Sequence, residues 1–139
     1  MRHHAHRACA EQRRGDAVTK VLVVDDSDAV RRSVHAALAD RLANATIGEA
    51  DSAASALACV DAEPWDVVLL DLSLPDRNGM DTLRAIRARQ PTLPVLVMSF
   101  HPEAAYGPAV RAAGAVGYLT KGDSADVMAE AVRGVLASR

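Results

Sequence analysis

Five side chains stand where a short apolar run gives way to polar residues. Asp25 and Asp26 follow the run 20–24, Asp71 follows 67–70, Ser99 follows 95–98, and Lys121 lies one residue beyond 116–119. Three carboxylates brought to one place repel one another. A like-charge pair about 4 Å apart costs about 4 kcal/mol at an effective dielectric of about 20. Such a cluster implies raised proton affinity or a bound cation. All-oxygen ligands at an open edge suit a hard ion that keeps part of its water, Mg²⁺ before Zn²⁺, and no cysteine or histidine is placed to make a softer site. Lys121 adds a compact ammonium suited to a phosphate oxygen, and Ser99 adds a hydroxyl that can donate to another. Metal, ammonium and hydroxyl together describe stabilisation of a phosphoryl group in transfer, with a carboxylate as nucleophile and an acyl phosphate as product. Asp71 ends the most hydrophobic run and is the candidate nucleophile.

These residues share a site only if the elements that carry them are parallel neighbours. The runs 20–24, 67–70, 95–98 and 116–119 are continuous and mostly Val or Leu, the pattern of strands buried on both faces, and a weaker strand is expected at 45–50. Helical segments alternate with them. The segment 27–41 places Val30, Val34, Ala37, Leu38 and Leu42 along one stripe with Ser27 or Asp28 as cap, and 52–61 is Ala-rich with Leu57 and Val60. The segment 78–89 turns Met80, Leu83 and Ile86 inward, and 123–137 repeats the logic with Val127, Met128, Ala131, Val132 and Leu136. Five β-α units predict a doubly wound α/β fold, a five-stranded parallel sheet with helices on both faces. Open parallel sheets take ligands beyond the carboxyl ends of their strands, which is where all five polar residues fall.

The bulk properties exclude several alternatives. The 139 residues suit one domain, about half the chain is apolar, and the net charge of −2 leaves no footprint for nucleic acid or an acidic membrane. No apolar run is long enough to cross a bilayer. Cys9 and Cys59 form neither a disulfide framework nor a metal knuckle, so a cytoplasmic setting is expected. Residues 1–17 carry Arg2, Arg7, Arg13 and Arg14 among small and polar residues and read as a disordered leader; His3, His4 and His6 lie there without a folded ligand set. The run ending on Asp71 is like the acidic strand of a P-loop ATPase, but no Gly-rich loop with Lys-Ser/Thr accompanies it.

Four stretches together resemble the receiver domain of two-component response regulators over roughly residues 19–137. They are Val-Leu-Val-Val-Asp25-Asp26, Asp71-Leu-Ser-Leu-Pro75-Asp-Arg-Asn-Gly79-Met, Val-Leu-Val-Met-Ser99 and Gly114-Ala-Val-Gly-Tyr118-Leu-Thr-Lys121. The last stretch is most similar to receivers that precede a helix-turn-helix DNA-binding domain. The resemblance implies a flavodoxin-like sheet of order 2-1-3-4-5 in a receiver domain spanning 18–139. It implies that Asp71 accepts phosphate from a sensor histidine kinase. Asp26, Asp71 and the backbone carbonyl of Ser73 would bind Mg²⁺ directly, and Asp25 through water. Ser99 and Lys121 would contact the phosphoryl group, and Tyr118 would be the switch aromatic whose ring moves inward. The face of the fourth helix, fifth strand and fifth helix would then change partners, for instance by forming a homodimer. With no basic recognition helix, the chain itself is not expected to bind DNA.

Three positions depart from the family's usual pattern. Phe100 follows Ser99 where a small residue is usual, which places an aromatic ring at the pocket mouth. Gly122 follows Lys121 where many relatives have proline. Gly107-Pro108 leads the fourth helix to be expected to start near Pro108 and to be short, because proline suits a first helical turn. Two other functions compete: a receiver-like binding module that takes no phosphate, and a phosphotransfer enzyme acting on metabolites. The complete acidic set with Ser99 and Lys121 opposes the first. The second lacks another acidic residue two positions after Asp71 and a cap domain over the site.

Overall fold

The computed structural model describes residues 18–138, so the expected leader at 1–17 lies outside the described residues. Five strands form one parallel sheet: β1 (Thr19–Val24), β2 (Ala45–Ala50), β3 (Val67–Asp71), β4 (Val95–Ser99) and β5 (Gly117–Thr120). Their order is β2-β1-β3-β4-β5, with β3 between β1 and β4. The helices between and after them are α1 (Asp28–Arg41), α2 (Ala53–Ala62), α3 (Gly79–Arg89), α4 (Glu103–Ala112) and α5 (Ala125–Ser138). The expected doubly wound, flavodoxin-like architecture is the one observed.

The alternation of side chains along each strand divides the core in two. Leu22, Val24, Val68 and Leu70 pack with Leu57 and Val60 of α2, Leu83 and Ile86 of α3, and Val110 of α4. Val21, Val23, Val67 and Leu69 pack with Val34 and Leu38 of α1 and Met128 and Val132 of α5. Every residue of β3 and β4 is buried, which accounts for their unbroken apolar runs, whereas the edge strand β2 is mostly half-buried. Side-chain caps start three helices at the expected places: Ser27 accepts from Val30 N–H, Ser52 from Ser55 N–H, and Asn78 from Met80 N–H.

The fourth helix differs from the expectation. α4 begins at Glu103, five residues before Pro108, and carries Pro108 in its interior. Pro102 occupies the cap position at φ −63° and ψ 148°, and the Ala105 N–H bonds back to its carbonyl at 3.0 Å. Pro102 thus performs the role that Pro108 was expected to play. Pro108 still deprives the Ala104 carbonyl of its helical donor, but Ala104 is exposed, so water can serve instead. The fifth helix starts at Ala125 rather than Asp123. Asp123 closes a turn instead, its carboxylate accepting from Thr120 N–H at 3.1 Å.

Candidate functional site

Asp25 directly follows β1, Asp71 ends β3, Ser99 ends β4, and Lys121 directly follows β5. Because β1, β3, β4 and β5 are consecutive and parallel, all four residues arrive at one edge of the sheet. One oxygen from each of Asp25, Asp26 and Asp71 lies within 4.8 Å of the other two. Asp25 and Asp71 are almost wholly buried, at 0% and 2% exposure, while Asp26 is open to solvent.

Lys121 is the counter-charge. Its ammonium lies 2.6 Å from Asp25 Oδ2 and 3.1 Å from Asp71 Oδ1. Asp71 Oδ1 also accepts the Ser73 N–H at 3.0 Å, and Asp25 Oδ1 accepts the Ser27 N–H at 2.9 Å. Two buried carboxylate oxygens, Asp25 Oδ2 and Asp71 Oδ2, lack a hydrogen bond among the described residues; the Lys121 ammonium lies beside the first, so Asp71 Oδ2 is the one left without a donor. Burial pushes the Asp71 carboxyl above its ordinary range, and Asp25 adds to the shift, while the Ser73 N–H and Lys121 oppose it. Burial alone would depress the Lys121 ammonium, but Asp25 and Asp71 outweigh it and its proton affinity is raised. One ammonium among three acids leaves the pocket negative. Hard oxygen ligands, one unsatisfied buried carboxylate oxygen and one exposed carboxylate form a donor set that fits Mg²⁺.

The remaining walls explain how the loop after Asp71 keeps its shape. Ser73 and Asn78 pair as an isolated antiparallel bridge, which closes the loop on itself. Gly79 sits so close to Leu72 that a Cβ there would lie 2.2 Å from the Leu72 carbonyl oxygen, which only glycine tolerates. The Asp76 carboxylate accepts from the Ala53 and Ala54 N–H groups at 2.8 and 3.0 Å, tying the loop to the start of α2 and holding its acid below the usual range.

Ser99 is buried, and its Oγ accepts the His101 N–H at 3.0 Å, which leaves the hydroxyl proton to donate elsewhere. The His101 carbonyl in turn accepts the Tyr118 hydroxyl at 2.7 Å. One residue, His101, therefore links Ser99 to Tyr118, through the N–H of the peptide before it and the carbonyl of the peptide after it, and the Tyr118 ring is buried. Phe100 is 72% exposed, with its ring centroid 5.0 Å from the Lys121 ammonium. The aromatic ring expected at the pocket mouth is there, lying over the lysine.

A family model described as the response regulator receiver domain matches residues 21–133. The chain belongs to this family. It is 36% identical over 120 residues to the response regulator GacA of Pseudomonas aeruginosa, covering 86% of this chain and 56% of that protein. To the transcriptional regulatory protein DegU of Brevibacillus brevis it is 32% identical, covering 82% of this chain and 48% of that one. The chain thus spans about half the length of the curated relatives it matches. Among solved structures, the NarL signal receiver domain from Mycobacterium tuberculosis superposes with a TM-score of 0.80 at 32% identity, covering 88% and 98% of the two chains. The chemotaxis response regulator CheY4 of Vibrio cholerae gives a TM-score of 0.79 at 27% identity, covering 86% of this chain and 100% of that one. Receiver domains are phosphoacceptor signalling domains that bind Mg²⁺ at an acidic pocket and work with sensor histidine kinases. No helix among the described residues is long and apolar enough to cross a membrane.

Of the candidate site residues read from the sequence, Asp25, Asp26, Asp71, Ser73, Ser99 and Lys121 fall at this sheet edge or in the loops above it, and Tyr118 lies within β5 opposite Val97. Two supporting residues escaped that reading, Asp76 and Arg31. The Arg31 guanidinium reaches the Asp25 carbonyl at 2.6 Å. Its i,i+3 spacing from Asp28 was the local signal available; nothing local marks Asp76 as a cap for a helix 23 residues earlier.

Proposed function

We propose that this chain is a phosphorylation-dependent switch in which Asp71 takes a phosphoryl group from the phosphohistidine of a sensor histidine kinase. The observation that carries the reading is Asp71 Oδ2, a buried carboxylate oxygen without a donor beside an ammonium and two further acids. In the transfer, a carboxylate oxygen of Asp71 bonds to phosphorus as the phosphorus–nitrogen bond of the donor breaks, and the imidazole leaves. Asp25, Asp26, Asp71 and the Ser73 carbonyl would hold Mg²⁺, Asp25 through water. When bound there, the ion would supply positive charge toward the phosphoryl oxygens. Burial raises the proton affinity of Asp71, and the Ser73 N–H and Lys121 oppose that shift, which favours the ionised nucleophile. The Lys121 ammonium is then positioned to meet one phosphoryl oxygen and the Ser99 hydroxyl another. The pocket also promotes hydrolysis of the acyl phosphate, resetting the switch.

The readout runs through Ser99. A shift of its hydroxyl toward phosphate pulls on the His101 N–H, and the His101 carbonyl, in the next peptide, holds the Tyr118 hydroxyl. The two packings of this loop are the states that phosphorylation re-weights. Tyr106 on α4 and Val127 on α5 are exposed, which supports a homodimer through the face of α4, β5 and α5. Relatives named as transcriptional proteins support a transcriptional output in which this chain makes no DNA contact of its own.

Incubation with acetyl phosphate and Mg²⁺, followed by intact mass measurement, tests the reading. One phosphoryl adduct is expected, lost on chelation of Mg²⁺ before the reaction and absent in Asp71→Asn. An adduct that survives in Asp71→Asn would place the acceptor elsewhere. No adduct with either acetyl phosphate or a histidine kinase would favour a binding module that takes no phosphate.

A further inference from the structure

The peptide joining Asp25 to Asp26 orients the two acids at the end of β1, and one side chain holds it. The Arg31 NH1 donates to the Asp25 carbonyl, the oxygen of that peptide, at 2.6 Å. The other two nitrogens of the guanidinium are also committed. Nε donates to Glu49 Oε1 on β2 at 3.1 Å, and NH2 pairs with Asp28 in the first turn of α1. Glu49 is itself held from its other oxygen by His35 Nδ1 at 2.8 Å. The Arg31 side chain is only 13% exposed. The fork is thus fixed on three sides by a neighbouring strand, a helix start and the peptide of the site.

We propose that Arg31 is a positioning residue for the metal-binding turn, clamping the Asp25–Asp26 peptide so that both carboxylates face the pocket. The inference rests on the reading of this pocket as a Mg²⁺ site. Asp25 has other tethers: its N–H donates to the Ala50 carbonyl at 3.0 Å, and its Oδ1 accepts from Ser27 N–H. Both hold Asp25 from positions other than its carbonyl. Among the described residues only the Arg31 contact restrains the plane of the following peptide, and rotation of that plane re-aims Asp26, the exposed acid with no helix or strand of its own. A lysine at this position cannot replace the fork, because one ammonium cannot meet a strand carboxylate, a helix carboxylate and a carbonyl in one plane. Two acids, Glu49 and Asp28, already offset the guanidinium charge, so its role toward a cation in the pocket is geometric rather than repulsive.

The test is Arg31→Lys, which keeps the charge and removes the fork, beside Arg31→Met, which removes both. Val67→Ala, at the far end of β3 from Asp71, serves as a destabilised control with the turn intact. Mg²⁺ binding is measured by titration calorimetry, stability by thermal unfolding, and amide exchange over residues 25–28 without metal. The Kd for Mg²⁺ is expected to rise at least fivefold in both Arg31 variants, with faster exchange in the turn. Val67→Ala is expected to lose comparable Tm while its Kd stays within twofold of wild type. Loss of charge alone favours cation binding, so weaker binding in Arg31→Met assigns the effect to the fork. A Kd within twofold of wild type in Arg31→Lys, or one that merely tracks Tm as in the control, overturns the inference alone. Absence of Mg²⁺ binding in the wild type overturns the metal reading and the inference with it.

Discussion

Two lysines are buried at opposite ends of the same sheet, and each has an acid and an aromatic ring for company. Lys20, in β1 at the amino ends of the strands, pairs with Glu63 and lies 4.8 Å from the centre of the Trp65 ring. Lys121, at the carboxyl ends, pairs with Asp25 and Asp71 and lies 5.0 Å from the centre of the Phe100 ring. Their side chains are equally buried, at 7% exposure. What differs is the balance of charge. The Lys20 ammonium pairs with Glu63, and the nearby Asp66 carboxylate is held by the Lys20 N–H at 2.7 Å, so the acids at this end have donors. Lys121 faces two buried carboxylates with a third acid beside them, and one buried oxygen has no donor. Burial of a lysine therefore carries no functional message by itself; an unbalanced surplus of acid around it does.

Replacing each lysine by methionine should separate the two ends. Lys121→Met is expected to slow phosphorylation by acetyl phosphate by about 100-fold, the scale on which one donor aimed at a transferring group acts. The same change is expected to tighten Mg²⁺ binding, because the competing ammonium is gone. Equal or weaker Mg²⁺ affinity in Lys121→Met, measured by calorimetry, would mean that the ammonium does not compete for the acids. Lys20→Met should do the reverse. It leaves Glu63 buried without its ammonium and is expected to lose about 3 kcal/mol of stability in urea unfolding, while phosphorylation rate and Mg²⁺ affinity stay within twofold. A phosphorylation defect in Lys20→Met beyond that margin would show that the two ends of the sheet are coupled.

The sequence made the two ends unequally legible. Asp25, Asp71, Ser99 and Lys121 could be placed together because each follows a buried run, and a parallel sheet sends all such ends to one edge. Lys20 sits in the opening run and looked like part of a strand, which it is; its partners Glu63 and Trp65 come from the loop after α2, more than 40 residues away. Asp76 was hidden for the same reason, and so was the reach of Arg31 to the Asp25 carbonyl and Glu49; only the i,i+3 bond of Arg31 to Asp28 follows a local period. The cap at Ser27 or Asp28 was readable because a cap is a local bond, and Ser52 and Asn78, read as the starts of their helical segments, are caps as well. α4 was misplaced by a local rule applied to the wrong proline. Pro102 and Pro108 both suit a helix start, and the helix takes Pro102 as its cap and carries Pro108 inside.

The two aromatic rings sharpen the comparison at its smallest scale. Trp65 is fixed: its indole N–H donates to the Cys59 carbonyl at 2.9 Å, and its ring lies so close to Gly48 that a Cβ there would come within 2.4 Å. Phe100 stands 72% exposed over Lys121 and has the room to swing aside. An exposed cation–π contact is worth about 0.5–1 kcal/mol, or about a two- to fivefold change in rate at 1.4 kcal/mol per tenfold. Phe100→Ala frees the ammonium and opens the mouth of the pocket. Both phosphorylation by acetyl phosphate and loss of the phosphoryl group are expected to accelerate by about that factor. Phe100→Leu keeps bulk without the aromatic face and divides the two causes. Rates like wild type in Phe100→Leu assign the effect to steric cover, and rates like Phe100→Ala assign it to the hold on Lys121. Unchanged rates in Phe100→Ala would show that the ring over Lys121 is as inert to the chemistry as Trp65 is over Lys20.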